Sequence, residues 1–262
     1  MKSIFPSTLV VAALTMIVST ASSAPATAQT PAPAASPAAP NTTRHHVTLV
    51  RVKPEMLNEW IDLQKNEVVP ALKKAGVASR TVWATSVGNS FEYTISVPFE
   101  KFSAMDSPAP LITALGAEAA ARLNAKLRKC IETQRTYMAN RVNDLTIPAG
   151  DAMVNRMVVR RVPQGKTQEY LTFHRTEVLP ALKKAKEQGK IAGSYVVVRG
   201  AGAQANEIVT AESYTKFADL DAGSPVQAVV GNEAYAAINS KGNALATNVQ
   251  TVIRRRVADL SF

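Results

Sequence analysis

Cysteine is almost absent from this sequence of 262 residues, in which Cys130 is the only one. A single thiol forms no intramolecular disulfide, so burial of apolar side chains must stabilise the fold. Histidine is scarce as well: there are three, and His45 and His46 are adjacent rather than spaced like the ligands of a zinc-binding helix. These shortages exclude a disulfide-stapled scaffold and argue against a zinc site.

Long apolar runs are also missing. The N-terminal stretch from Leu9 to Val18 is about half as long as the roughly 20 residues of a membrane-spanning helix. It follows Lys2 and precedes the small residues at 26–28, a pattern typical of a cleaved secretory signal peptide over residues 1–28. We therefore expect a secreted, periplasmic protein with no transmembrane segment after cleavage; a retained N-terminal anchor is the alternative.

Acidic residues are outnumbered by basic ones, and the formal net charge is +10. Such a charge attracts acidic partners, although scattered lysines and arginines are also typical of a solvated surface. Nucleic acid is not an expected partner, because export separates the chain from it. A structural envelope protein with a basic, adhesive surface is one functional hypothesis.

The most informative feature that is present is an internal repeat. Residues 67–75 (EVVPALKKA) recur at 177–185 (EVLPALKKA), with eight identities in nine positions at an offset of 110. Residues 141–145 (RVNDL) recur at 256–260 (RVADL) at an offset of 115. A period of this length indicates a duplicated folding unit. We predict a tether over residues 29–43, a first repeat over 44–147 and a second over 153–262.

Each repeat contains the same order of predicted elements. Alternating β-branched segments predict strands, and longer amphipathic segments predict helices. In the first repeat the strands are predicted at 47–52, 81–87, 91–97 and 131–142, and the helices at 54–75, 100–105 and 118–129. In the second repeat the strands are predicted at 153–162, 194–198, 207–214 and 249–258, with a helix at 166–186 and a broken helical stretch that ends at 246. The order is βαββαβ, the ferredoxin-like unit.

A ferredoxin-like sheet carries helices on one face only, so two tandem units can cover each other's bare faces. The fold class is therefore α+β, with two ferredoxin-like domains packed as an intramolecular barrel. The pattern resembles the dimeric α/β barrel superfamily, which includes antibiotic-biosynthesis-monooxygenase-like and NIPSNAP-like proteins. The resemblance implies a ligand site between helix and sheet, and it leaves open whether any reaction is catalysed.

The first helix of each repeat carries the candidate site residues. Apolar stripes on these helices, at 57, 61, 68 and 72 and again at 167, 171, 178 and 182, predict the face toward the sheet. A polar residue lies at the centre of each stripe, and an aromatic residue and a carboxylate border it. Tyr195, from a predicted strand of the second repeat, is a further candidate. The candidate ligand-binding residues are Trp60, Gln64, Glu67, Tyr170, His174, Glu177 and Tyr195.

His174 is the candidate for acid–base catalysis or for metal or haem ligation. The first repeat has Gln64 at the equivalent position, so its site would be inactive. A satisfied core histidine is the alternative. Pro70 and Pro180 lie inside the predicted helices and predict kinks near residues 66 and 176, which either bend the helix or expose carbonyls to a ligand.

Arginines on the last strand of each repeat are the remaining candidates. Arg135 and Arg141 share one face of the first of these strands, and Arg254 and Arg256 share one face of the second. From there they could bind a carboxylate or phosphate, or pair with acidic residues such as Asp144 and Asp259.

The leading functional hypothesis is a small-molecule-binding protein whose second repeat keeps the pocket. The alternative is a monooxygenase-like or haem-using enzyme in which His174 is active. The identity of the ligand and of any cofactor, haem included, remains open.

Overall fold

The computed structural model describes residues 41–262. The predicted signal peptide and most of the predicted tether therefore lie outside the described residues. Strand β1 begins at Thr42, inside the segment assigned to the end of the tether, because Thr42 and Thr43 pair with Val142 and Arg141 of the last strand of the first repeat.

Both repeats have the order of elements that the sequence predicts. In the first repeat the elements are β1 (Thr42–Val52), α1 (Leu57–Leu63), α2 (Val69–Lys74), β2 (Thr81–Val87), β3 (Glu92–Phe99), α3 (Pro110–Leu115), α4 (Ala117–Cys130) and β4 (Ile131–Val142). In the second they are β5 (Val154–Arg161), α5 (Thr167–Phe173), α6 (Leu179–Glu187), β6 (Gly193–Arg199), β7 (Glu207–Tyr214), α7 (Pro225–Val230), α8 (Asn232–Leu245) and β8 (Thr247–Arg256). Short 3₁₀ turns lie at Phe102–Asp106, where an α-helix was predicted, and at Phe217–Ala222.

The eight strands form one closed antiparallel barrel with the order β1-β3-β2-β8-β5-β7-β6-β4. Within it, each repeat keeps the ferredoxin-like order: β4-β1-β3-β2 in the first and β8-β5-β7-β6 in the second. Pairing of β2 with β8 and of β4 with β6 joins the two sheets. The tandem units therefore close on each other, as expected, and leave no free sheet edge in the barrel.

A π-helical turn interrupts the first helix of each repeat at the site of the predicted kink. Gln64–Val68 joins α1 to α2, and His174–Val178 joins α5 to α6. The amide of Val69 donates to the carbonyl of Gln64, and that of Leu179 to His174, which are bonds of the wide i→i−5 type. Proline at the next position has no N–H, so the regular α-helical bond to the residue four earlier cannot form there.

The extra residue in the wide turn shifts the buried face of the helix. The predicted stripe was continuous, but the structure buries Val69 and Ala71 after the turn and leaves Leu72 half-buried. Trp60, predicted at the border of the stripe, is fully buried, and its ring lies 4.4 Å from that of Tyr93. A strict 100° period failed here because the π-helical turn contains one residue more than an α-helical turn.

The core has a helix-facing layer in each repeat and an inner layer inside the barrel. The helix-facing layers contain Trp60 and Leu123 in the first repeat and Tyr170 and Leu182 in the second. The inner layer includes small apolar clusters around Met157 and Tyr137. Between residues 41 and 262, no helix combines the length and the apolar character needed to cross a bilayer.

Candidate functional site

A cavity of about 110 Å³ lies between the helices and the sheet of the second repeat, where the sequence predicts a ligand site. Tyr170 and His174 line it from the first helix, and Arg156 and Arg160 line it from β5. The other walls are mostly apolar and include Phe173, Leu179, Leu182, Val196, Val226, Tyr235 and Ile238. The volume is that of a few water molecules or of one small organic molecule.

His174 is buried, with 7% of its surface exposed, and it begins the π-helical turn. Within residues 41–262, no side chain forms a hydrogen bond with its ring. Burial, and secondly the charge of Arg160, lower the pKa of His174 to about 3. The imidazole is therefore neutral at ordinary pH, and its ring nitrogens remain available to a molecule in the cavity.

Arg160 provides the positive charge of the site. β5 alternates, so Met157 and Val159 face the barrel interior while Arg156 and Arg160 face the helices. The Arg160 guanidinium donates to the hydroxyl of Thr210 at 2.5 Å. Burial raises the pKa of Tyr170, and the Arg160 charge opposes this rise. A cation, a neutral imidazole and a protonated phenol therefore meet at one wall of the cavity.

Arg156 forms a salt bridge with a carboxylate, whereas Arg160 forms none with the described residues. Its guanidinium lies 2.8 Å from the Glu212 carboxylate, which also accepts a hydrogen bond from the Tyr214 hydroxyl at 2.9 Å. The Glu212 carboxylate therefore offsets the charge of Arg156. Neither arginine was predicted as a site residue, although their alternation with Met157 and Val159 was the signal that could have revealed them.

The equivalent place in the first repeat is occupied by protein. The buried Arg80 guanidinium donates to the Gln64 side-chain oxygen at 2.6 Å and contacts the Leu260 carbonyl at 3.4 Å. Burial lowers the pKa of Arg80 to about 10. Gln64 is thus bonded to a neighbouring side chain, whereas His174 is open to a cavity.

The other predicted site residues lie elsewhere. Glu67 and Glu177 are on the outer side of the first helices and pair with Lys126 at 3.0 Å and Lys241 at 2.9 Å. The Tyr195 hydroxyl lies on the opposite face of the sheet, inside the barrel, where it accepts a hydrogen bond from Arg254. The structure therefore groups Tyr170 with His174 and separates them from Glu177 and from the Tyr195 hydroxyl.

The predicted pairing of the strand arginines with Asp144 and Asp259 is wrong. Asp144 binds Arg175 at 2.6 Å, and Asp259 binds Lys65 at 2.6 Å. Both aspartates lie outside the barrel next to the first helices, whereas Arg141 and Arg254 face inward.

The described residues contain no cluster of three or more His, Cys, Asp or Glu side chains placed to hold a metal ion. Haem does not fit the cavity beside His174, because about 110 Å³ is below the roughly 300–1,000 Å³ of sites that enclose drug-sized ligands. A porphyrin needs a larger space than this, so the residues around His174 do not fit haem.

No protein-family model matches the sequence, and no curated protein matches it either. Solved structures do match. A candidate monooxygenase from Lactobacillus acidophilus aligns with a TM-score of 0.54 and 12% identity, covering 84% of this chain and 95% of that one. An anthrone oxidase-like protein aligns with a TM-score of 0.55 and 13% identity, covering 82% and 91%. A candidate monooxygenase from Fusobacterium nucleatum aligns with a TM-score of 0.54 and 11% identity, covering 82% of this chain and 93% of that one.

These similarities, together with the closed barrel, define the class: the chain has the dimeric α/β barrel fold, with both halves in one polypeptide. At such low identities the likeness extends to the fold alone.

Proposed function

We propose that this protein binds a small polar molecule in the cavity between helix and sheet of the second repeat. The observation that carries the proposal is the ring of His174, buried and neutral, which has no side-chain hydrogen-bond partner and borders a cavity beside Arg160. A polar group that leaves bulk water without gaining a partner is costly, and a ligand or water that bonds to the ring from the cavity removes that cost.

The π-helical turn supports this choice of site. Such turns are uncommon and often occur at functional sites. The first repeat has the same turn, but Arg80 bonds to its first side chain, that of Gln64, so the two repeats differ in whether that side chain has a hydrogen-bond partner. The proposal therefore assigns the site to the second repeat.

The cavity limits the size and chemistry of the ligand. A cavity of about 150 Å³ holds benzene, so about 110 Å³ suits a single small ring or a shorter chain. Arg160 favours an acceptor or a negative charge on the ligand, and the neutral imidazole of His174 can accept or donate one hydrogen bond.

The experiment is a thermal-shift screen of phenol, pyridine, imidazole and their methyl derivatives against the purified full chain. A ligand at 100 times its Kd raises the free energy of unfolding by about 2.7 kcal/mol. We expect at least one compound to raise the Tm of the wild type and to have little effect on the Tm of His174→Gln. This variant gives the second repeat the residue that the first repeat has at the equivalent position, Gln64. His46→Gln, on the outer side of β1, is the matched control and should respond as the wild type does.

The same binding is expected to move the ring signal of His174 in an NMR spectrum, where only three histidines have to be assigned. If no compound stabilises the wild type, or if His174→Gln responds equally, the proposal is wrong.

An oxygenase-like reaction in the same cavity is the second candidate, favoured by the descriptions of the structural neighbours. The low pKa of His174 makes its imidazole a weak base, which favours binding over proton abstraction. Oxygen uptake in the presence of a compound that binds, absent in His174→Gln, would support catalysis.

A further inference from the structure

The inside of the barrel contains a second group of polar side chains, separated from the His174 cavity by the sheet. Arg141 from β4 and Arg254 and Arg256 from β8 face this space at one end of the barrel. Trp83 and Tyr195 provide aromatic surfaces beside them. The Arg141 guanidinium lies 5.0 Å from the centre of the Tyr195 ring, and that of Arg254 lies 5.5 Å from the centre of the Trp83 ring.

Among residues 41–262, Arg141 and Arg254 have no carboxylate partner of the kind that buried charges normally have, and the partner of Arg256 is distant. Arg254 is 2% exposed and donates to neutral groups, the Asn155 side-chain oxygen at 2.6 Å and the Tyr195 hydroxyl at 2.9 Å. Arg256 has only the fully exposed Asp151, at 3.7 Å. The Nε atoms of all three arginines are buried and unpaired.

The space beside them is large enough for a ligand. A cavity of about 190 Å³ is lined by Arg141, Arg256, Trp83 and Tyr195, and by residues 146–150, where the first repeat ends and the linker between the repeats begins. A smaller cavity of about 60 Å³ shares Trp83, Arg141 and Tyr195 with it and is also lined by Arg254 and His45. The Nε2 atom of His45 is also buried and unpaired, while its Nδ1 lies 3.0 Å from the Ser96 hydroxyl.

We propose that this end of the barrel binds a small organic carboxylate. Arginine binds carboxylates through paired, charge-assisted hydrogen bonds, and an anion would offset the repulsion among the three guanidinium groups. The aromatic rings and the linker would contact the carbon skeleton. This site is independent of the His174 cavity, because the two lie on opposite faces of the sheet.

The test is titration of the full-length protein with benzoate, followed by calorimetry and by the NMR signals of the histidine rings. We expect the His45 signal to move while that of His174 stays in place, which distinguishes this site from the helix–sheet cavity. Benzamide, which has nearly the same shape but no charge, is expected to bind at least tenfold more weakly.

Arg141→Gln and Arg256→Gln are each expected to weaken benzoate binding at least tenfold. Arg255→Gln is the matched control: it removes the same charge from the neighbouring residue, which is exposed and stacks on Phe217 outside the barrel. It should bind benzoate as the wild type does. Thermal melts of all three variants check that they fold.

The proposal is overturned if benzoate at millimolar concentration does not bind, if benzamide binds equally well, or if the Arg255 variant loses as much affinity as the other two. It is also overturned if Arg141→Gln and Arg256→Gln fold and bind benzoate normally. Inorganic phosphate that displaces benzoate at lower concentration would show that the site prefers an oxyanion without a carbon skeleton, against the proposal.

Discussion

Arg80 and Arg160 each bring a positive charge to the centre of one repeat, but from different positions in the chain. Arg160 comes from the first strand of its repeat, and the aligned residue in the first repeat is Val50, at an offset of 110. Arg80 comes from the turn after the first helix, where the second repeat has Ala192, at an offset of 112. Arg80 bonds the central polar residue of its helix, whereas Arg160 bonds Thr210 and the second repeat keeps a cavity.

The buried histidines are expected to make stability depend on pH. Burial lowers the pKa of His174 to about 3 and that of His45 to about 4, below the value near 6.5 of an unfolded chain. Between the folded and unfolded pKa values the unfolded chain binds more protons than the folded chain. The contribution of the neutral histidines to the free energy of unfolding is therefore complete above about pH 6.5 and is lost as the pH falls toward the folded pKa values.

Urea unfolding at pH 6.5 and pH 4.5 tests this dependence. Each histidine should lower the free energy of unfolding by up to about 1.4 kcal/mol per pH unit in that range. His174→Gln is expected to remove its share of the slope, whereas His46→Gln should leave the slope unchanged. Equal slopes in the wild type and His174→Gln would show that the ring is not buried in its neutral form.

At this scale the sequence predicted only part of the site. Tyr170 and His174, which line the cavity, could be singled out because a polar residue lies within the apolar stripe and an aromatic residue borders it. The role of Glu177 could not be assessed, because its direction depends on the π-helical turn and its partner Lys241 is 64 residues away. Arg160 was missed because it is one of three arginines in β5, and arginines on a strand usually belong to the solvated surface.

Helices and strands were easier to predict than their contacts. The limits of β2, β4 and β7 agree with those predicted, since alternation is strong and turns or helix ends bound each strand. The prolines predicted the position of the irregular helical turns. Their width was not predictable, because it depends on which carbonyl the amide after the turn can reach.

The ion pairs that join the first helix to the last long helix of each repeat, Glu67–Lys126 and Glu177–Lys241, are exposed or half-exposed. Such pairs contribute roughly 0–1 kcal/mol. We expect Glu177→Gln, and Glu67→Gln as its counterpart, to lower the free energy of unfolding by less than about 1 kcal/mol. Neither should change ligand binding by the His174 cavity.

Equilibrium unfolding and the thermal-shift screen check both expectations. If Glu177→Gln binds the ligand of the His174 cavity tenfold more weakly and Glu67→Gln binds it normally, Glu177 belongs to the binding site after all. It would also mean that the pair with Lys241 opens when the ligand binds.

The whole molecule depends on the pairing of two halves, since each sheet buries its inner face against the other. That face carries Met157, Val159, Val209, Ala211 and Val252 in the second repeat. Residues 153–262, our predicted second domain, are therefore expected not to persist as a monomer when expressed alone. Their edge strands β6 and β8 would pair with a second copy or aggregate.

Light scattering after size-exclusion chromatography measures the outcome. A dimer would also support the predicted domain boundary, which otherwise remains a prediction. A stable monomer with a cooperative melting transition would show that the half-barrel is independently stable and that the inner face tolerates water.

Covalent joining of the two halves permits an interior that two identical chains could not share. Arg254 aligns with Ala139 at an offset of 115, so only one of these two equivalent places inside the barrel holds a guanidinium. In an assembly of two identical subunits every substitution occurs twice, and this charge would have been introduced in duplicate into the barrel interior. Duplication within one gene allows each half to change alone, so an asymmetric interior and a single cavity beside His174 can evolve without a matching change in the other half.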